Sequence, residues 1–125
     1  MIRNTRQRDA IRQVFERIAR PLNPQEVLDE AKADCGSIGI ATVYRNIKAM
    51  VEDCTLQPVE IPGGQLHYEL AGKAHHHHFH CRECNRVYEV DGCVGNFQSI
   101  KPKGFQLEYH EVILYGLCEE CVTAE

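Results

Sequence analysis

Four of the seven cysteines fall in two short pairs, Cys81-x-x-Cys84 and Cys118-x-x-Cys121, with 33 residues between the pairs. Two such knuckles supply four thiolates at tetrahedral geometry, the ligand set of structural zinc. Two redox dithiols or four unconnected buried cysteines are the alternatives. The polar runs Cys81-Arg-Glu-Cys84-Asn and Cys118-Glu-Glu-Cys121 read as turns rather than apolar core, which favours Zn2+. A closed four-cysteine site staples a fold, so this one is expected to hold the last strand and C-terminus against the first hairpin of a small domain. No role is assigned to Cys35, Cys54 or Cys93.

The second cluster is His75-His76-His77-His78-Phe79-His80, which runs directly into the first knuckle. An affinity tag would sit at a terminus, and this run is internal. On a strand, alternate side chains point to opposite faces. His76 and His78 therefore share one face and His75 and His77 the other, so one short strand can feed two metal sites. Partners are available in His67 and Glu69 on the preceding strand, Glu89 on the paired strand and His110 on the last one. Mixed histidine and carboxylate ligation suits divalent zinc, iron, nickel or manganese, and ligand type alone does not choose among them.

These residues need elements to position them. Ile11, Val14, Phe15 and Ile18 recur at helical spacing, with Thr5 as the cap and Pro21 closing the helix. Asn23-Pro24-Gln25-Glu26 supplies a capping box with proline in the first turn, opening a short helix through Val27, Leu28 and Ala31 that stops near Cys35-Gly36. A third helix is expected from about Ile38 to Glu52. Ile40, Val43, Ile47, Met50 and Val51 form one stripe of it; Ala41, Tyr44, Arg45 and Lys48 lie on another. Strands Leu56–Ile61 and Gln65–Leu70 around Pro62-Gly63-Gly64 form a hairpin. Helix, helix, helix, hairpin is the order of a winged helix-turn-helix. Ala71-Gly72-Lys73-Ala74 then reads as a linker. Strands around His77–Cys81 and Arg86–Val90 follow, then a short irregular or helical piece and a strand from Phe105 to Tyr115.

The fold class is thus α+β: an N-terminal winged helix-turn-helix (residues 1–70), a hinge linker (71–74) and a small α/β domain for dimerisation and metal binding (75–125). Domains of about sixty residues bury little surface, so staples or a dimer are expected. The net charge is −4, but six arginines lie in the first twenty residues against Asp9 and Glu16. From residue 75 onward four basic residues face eight carboxylates. A basic front and an acidic back suit a chain that touches phosphate with one end. No apolar run is long enough for a membrane span and no signal peptide opens the chain, so the expectation is a cytoplasmic protein that does not engage membranes. Cysteines in that compartment point to metal rather than disulfides. On the third helix, Thr42, Tyr44, Arg45 and Lys48 could contact DNA, since such side chains reach phosphate, thymine methyl groups and guanine. An ordinary amphipathic surface helix would show the same pattern.

Ala-Thr-Val-Tyr-Arg at 41–45, the histidine run before Cys81-x-x-Cys84, and Glu108-x-His110-x-x-x-x-Tyr115-Gly116-x-Cys118-x-x-Cys121 resemble the ferric uptake regulator superfamily over nearly the whole chain. The resemblance implies a homodimeric repressor that binds double-stranded operator DNA when a regulatory metal closes the dimer. It implies that Cys81, Cys84, Cys118 and Cys121 hold structural zinc. Glu69, His76, His78 and Glu89 correspond to the hinge regulatory site, and His75, His77 and His110 to an additional site. Tyr44 and Arg45 correspond to the DNA-contacting pair. Several positions depart from the pattern. Pro21 replaces a histidine of the iron and peroxide sensors, and His67 is offered as its substitute. Gln57 and Ala71 replace the hinge aspartate and cysteine of many zinc sensors. The usual carboxylate of the additional site falls near Asn96, with Asp91 and Cys93 close by. The regulatory ion is therefore expected to be Zn2+ before Fe2+ or Mn2+, with iron or peroxide sensing as the alternative. A metallochaperone or zinc-dependent enzyme is the rival of another class; no paired base and nucleophile supports catalysis, and a non-enzyme is expected.

Overall fold

The computed structural model describes residues 2–93 and 95–123. Helix α1 (Ile2–Arg17) packs with α2 (Pro24–Ala31) and α3 (Ile40–Glu52) around one core. Ile11, Val14, Phe15, Leu22, Val27, Leu28, Ala31, Ile38, Val43, Ile47, Met50 and Leu56 are its buried members. Thr5 is not a cap. Nothing in Ile2-Arg3-Asn4 breaks a helix, and α1 already runs through it from Ile2. The Asn23 cap is formed as the sequence requires: its side chain accepts the Glu26 N–H at 2.8 Å while the Glu26 carboxylate accepts the Asn23 N–H at 3.0 Å.

Helix α3 starts after Gly39 rather than at Ile38. Val43, Ile47 and Met50 are buried, but Ile40, expected on the same stripe, is 39% exposed, because the first turn extends past the core. At its other end, Cys54 N–H donates to Val51 C=O at 3.1 Å and Thr55 N–H to Met50 C=O at 2.8 Å, with Cys54 at φ 67°. This is a Schellman closure, normally given to glycine because it demands a left-handed residue.

Strands β1 (Leu56–Val59) and β2 (His67–Leu70) pair antiparallel, Leu56 against Leu70 and Val59 against His67. The hairpin loop is longer than its Gly63-Gly64 core suggests, and both strands stop short of it. Leu22 N–H donates to Tyr68 C=O at 2.9 Å and Tyr68 N–H to Leu22 C=O at 2.8 Å, which fastens the hairpin to the α1–α2 connection. A second sheet has the order β4-β3-β5, from β3 (His76–Cys81), β4 (Val87–Asp91) and β5 (Ile113–Gly116). Strand β4 is antiparallel and β5 parallel to β3. The long strand expected from Phe105 to Tyr115 is replaced by these four residues. Strand β3 offers β5 a ladder only over His78–Cys81, and residues 105–112 have no strand to pair with. A short 3-10 helix (Phe97–Ile100) and α4 (Glu119–Thr123) complete the described chain. Val59 and Ile61 pack with Val87 and Ile113, joining the hairpin to the second sheet.

Candidate metal centres and nucleic-acid interface

The end of β3, the turn after it, the segment after β5 and α4 bring Cys81, Cys84, Cys118 and Cys121 together, their sulfurs within 4.8 Å of one another. The turn works because Asn85 takes a left-handed φ of 63° and donates its N–H to Cys81 C=O at 2.9 Å. Cys118 N–H donates to Cys81 Sγ at 3.4 Å, and Cys84 Sγ lies 3.8 Å from Cys118 Sγ. Burial opposes ionisation of Cys81, but the N–H groups of Cys84, Cys118 and Glu83 bring its thiol down to about 6. Cys121 is pushed up to about 12 by burial and by the crowded thiols of Cys118, Cys81 and Cys84. Four thiols here cannot all ionise unaided. A tetrahedral divalent cation such as zinc removes that conflict, so the residues fit the ion the spacing suggests.

A second cluster joins the hairpin to β3. Glu69, only 2% exposed, shares a face of β2 with His67. Its carboxylate lies 3.0 and 3.1 Å from His76 Nε2 and 3.2 Å from His78 Nε2, and it accepts Gln57 Nε2 at 2.7 Å. Burial would raise the Glu69 carboxyl, but bonds from His78, Gln57 and His76 outweigh it and hold it at about 2. Burial works against charge on His76 too; the Ala74 carbonyl, 2.9 Å from Nδ1, and the Glu69 carboxylate raise it nonetheless. With Nδ1–H committed to a backbone carbonyl, Nε2 is the nitrogen left able to ligate, an arrangement common around metals.

Two expected members stand outside this cluster. Glu89 turns to Lys73, 2.6 Å away, and stays 3.9 Å from His76 Nε2. His67 donates from Nδ1 to Gln65 C=O at 2.8 Å, and its buried Nε2, unpartnered, faces Glu26 at 3.9 Å. The substitution of His67 for the histidine absent at Pro21 is thus not what the structure builds. The strand pitch between His67 and Glu69 carries the imidazole toward α2. Gln57 acts as a donor that orients Glu69.

On the other face of β3, His75 Nε2 lies 3.2 Å from His110 Nε2, and the His77 ring is 4.5 Å from that of His75. His77 is buried and its Nε2 has no partner. Desolvation, then the nearby His75 and His110, lower its pKa. Cys93, noted in the sequence as a neighbour of the absent carboxylate but given no role, comes in here: its Sγ lies 3.2 Å from His110 Nε2, and the four residues offer ligand atoms within 4.8 Å of one another. Neither carboxamide nor carboxylate neighbour joins them. Asn96 caps the 3-10 helix, accepting Gln98 N–H at 3.0 Å, and Asp91 lies exposed at the end of β4.

The outer face of α3 presents Tyr44 at 55% exposure with Arg45 and Lys48 exposed beside it. Thr42, half-buried, accepts Arg45 Nη2 at 3.1 Å. Arg8, Arg12 and Arg17 of the basic front are paired with Asp53, Glu16 and Glu30 with Asp34. The α3 cations carry no such ion pair among the described residues.

The profile of the ferric uptake regulator family matches residues 1–115, and the chain belongs to that family of metal-dependent transcriptional regulators. The Bacillus subtilis ferric uptake regulation protein is 30% identical, the alignment covering 94% of this chain and 83% of that one. The zinc uptake regulation protein of Mycobacterium tuberculosis is 31% identical over 96% of this chain and 95% of its own. The Helicobacter pylori ferric uptake regulator, described as having three functional metal binding sites, superposes with a TM-score of 0.74 at 25% identity, covering 93% and 79% of the two chains. Iron- and zinc-named relatives are thus alike in sequence identity to this chain.

Proposed function

We propose that this chain is a metal-responsive transcriptional repressor that binds operator DNA as a homodimer when a divalent metal, zinc first, fills the Glu69, His76 and His78 site. One observation carries the reading: ligand atoms from the hairpin and from β3, on either side of Ala71–Ala74, converge within 4.8 Å. In this account residues 1–70 read DNA, 71–74 are the hinge and 75–125 dimerise. A bound ion supplies the positive charge that two imidazoles and one buried carboxylate share. Glu69 is already ionised and oriented by Gln57, and His76 is oriented by Ala74. These residues then fix the angle of the hairpin, and hence of α3, relative to the second sheet.

Two half-sites demand a set separation of two recognition helices, so a free hinge weakens DNA binding. Tyr44, Arg45, Thr42 and Lys48 are the contacts to bases and phosphate. Cys81, Cys84, Cys118 and Cys121 hold structural zinc, and His75, His77 and His110 an additional ion. Exposed Phe105, Tyr109, Leu114 and Tyr115 support a dimer, because a small domain rarely leaves such apolar area uncovered. Two imidazoles and one carboxylate can hold zinc, iron or manganese, and zinc is put first because Pro21 stands where the iron and peroxide sensors carry a histidine.

The test is fluorescence anisotropy of a labelled AT-rich palindromic duplex against buffered free Zn2+, Fe2+ and Mn2+. Binding should appear with zinc at the lowest free concentration and vanish on chelation that leaves one zinc per chain. Metal-independent binding, or none with any ion, contradicts the proposal.

A further inference from the structure

We infer that Cys93 is the fourth ligand of a three-histidine, one-thiolate metal site with His75, His77 and His110, and that the thiolate makes this site selective for zinc over manganese. The inference deepens the additional site proposed above and rests on that reading only in taking the three histidines as ligands.

All four ligand atoms lie within 4.8 Å of one another, and two of the separations are already close to those of a coordination polyhedron. Tetrahedral zinc with nitrogen at about 2.05 Å and sulfur at about 2.3 Å places ligand atoms roughly 3.3 Å apart for N···N and 3.5 Å for N···S. His75 Nε2 to His110 Nε2 is 3.2 Å and Cys93 Sγ to His110 Nε2 is 3.2 Å. Four groups from three separate segments meet this way: the start of β3 with the residue before it, the loop after β4, and the stretch before β5.

A second, independent observation points into the same site. His77 is 5% exposed, and its Nε2 is buried with no hydrogen-bond partner. A buried imidazole nitrogen with nothing to bond costs free energy that a metal ligation recovers. Its Nδ1 accepts the Val112 N–H at 3.2 Å. Ligation at Nε2 places the ring proton on Nδ1, so that contact must lengthen, and filling the site acts on the residue just before β5. The Phe97 ring, 4.1 Å from that of His110, limits the rotation of the third imidazole.

The donor set decides the metal. Asn96 is spent on its own helix cap and Asp91 is outside the cluster, so among the described residues no carboxylate joins it. A thiolate is a soft ligand, favoured by zinc and cobalt and disfavoured by manganese. One thiolate and three neutral imidazoles also leave the complex with a net charge of about +1, less costly half-buried than the +2 of imidazoles alone.

The experiment uses the full chain carrying His78→Ala, so that the hinge cluster does not compete, with its structural zinc in place and counted by metal analysis. Added Co2+ should give a thiolate-to-cobalt charge-transfer absorption. Cys93→Ser in the same background should remove that component while zinc stays at one per chain. Zinc affinity of the site should fall at least about 100-fold, since loss of even an outer-shell partner costs 10–100-fold. Cys93→Asp should restore occupancy and move preference toward manganese. Alkylation of Cys93, mapped by mass spectrometry, should be blocked by zinc. Identical cobalt spectra and zinc affinities in the parent and Cys93→Ser would overturn the inference, as would unprotected Cys93 at full occupancy. DNA binding is not read at any point, so failure of the repressor reading and failure of this one are distinguishable.

Discussion

Replacing Cys118 by serine should unfold the second sheet and leave the three-helix core standing. Cys118 is only 7% exposed, its N–H holds Cys81 Sγ, and its carbonyl accepts Val122 N–H at 2.9 Å in α4. The apolar alternative to the cysteine cluster is small. Val87 is the fully buried aliphatic side chain that β3, β4 and β5 supply, and its burial contributes about 1.5–3 kcal/mol. Structural zinc in a small domain contributes an apparent ~10–16 kcal/mol at neutral pH. Losing one of four thiolates therefore removes more than the sheet's own packing can offset, and the effect should exceed the ~4–5 kcal/mol that marks exceptional single mutations. The front core, twelve buried side chains with its own caps, does not depend on the staple. Hydrogen exchange is the suitable assay because it separates the halves. Amides of α1, α2 and α3 should keep their protection, those of β3, β4 and β5 should lose it, and zinc content should fall by one per chain. Unchanged zinc content with unchanged protection in β3 would refute the reasoning.

Tyr44→Ala and Arg45→Ala should each weaken operator binding by about 1–3 kcal/mol without altering metal content or dimerisation; wild-type affinity in both would remove α3 as the reader. Cys54→Gly should stabilise the protein by about 1 kcal/mol in thermal unfolding, because Cys54 holds a left-handed φ of 67° that glycine adopts without strain; a lower melting temperature would contradict this. Burial lowers the His67 pKa below its ordinary 6.5, outweighing the Gln65 carbonyl and Glu26, while Arg20 and His80 add to the lowering. The folded state thus binds fewer protons. His67 contributes stability fully above pH 6.5 and loses it as pH falls through the folded value. Unfolding free energies from urea titrations between pH 7 and 5 should fall less steeply for His67→Gln, by up to ~1.4 kcal/mol per pH unit; parallel curves would reject the claim.

How much of this was legible from residues alone depended on how local each cause was. The Asn23 capping box and the hairpin are short-range patterns, and each half of the four-cysteine cluster is one too, its type and spacing pairing the two halves across 33 residues; the structure builds all three. The alternation rule placed His76 and His78 opposite His75 and His77 correctly, since it needs only that β3 is a strand. Among the distant partners, Glu69 and His110 join the expected clusters, whereas two others stand outside them. His67 and Glu89 carry suitable nitrogen and oxygen, but Glu26 and Lys73, from α2 and the linker, draw their side chains elsewhere. Cys93 was one of three residues near an expected carboxylate, and only the path of the loop after Gly92 (φ 88°) brings it to His110. The strand expected at Phe105–Tyr115 shows the same limit: alternation was present, but a ladder needs a partner, and β3 supplies one only from His78 onward.

The central claim is that metal acts across the hinge, and the rank order of three variants tests it most directly. Operator affinity is measured against buffered free zinc for Glu69→Ala, His78→Ala and His110→Ala, each verified as a dimer with one structural zinc per chain. Glu69 and His78 lie on opposite sides of Ala71–Ala74, so removing either should abolish zinc-dependent binding. His110 lies wholly beyond the linker, so its loss should shift the zinc response only mildly. If His110→Ala proves the most severe and Glu69→Ala is silent, control resides in the second sheet and the hinge mechanism is wrong.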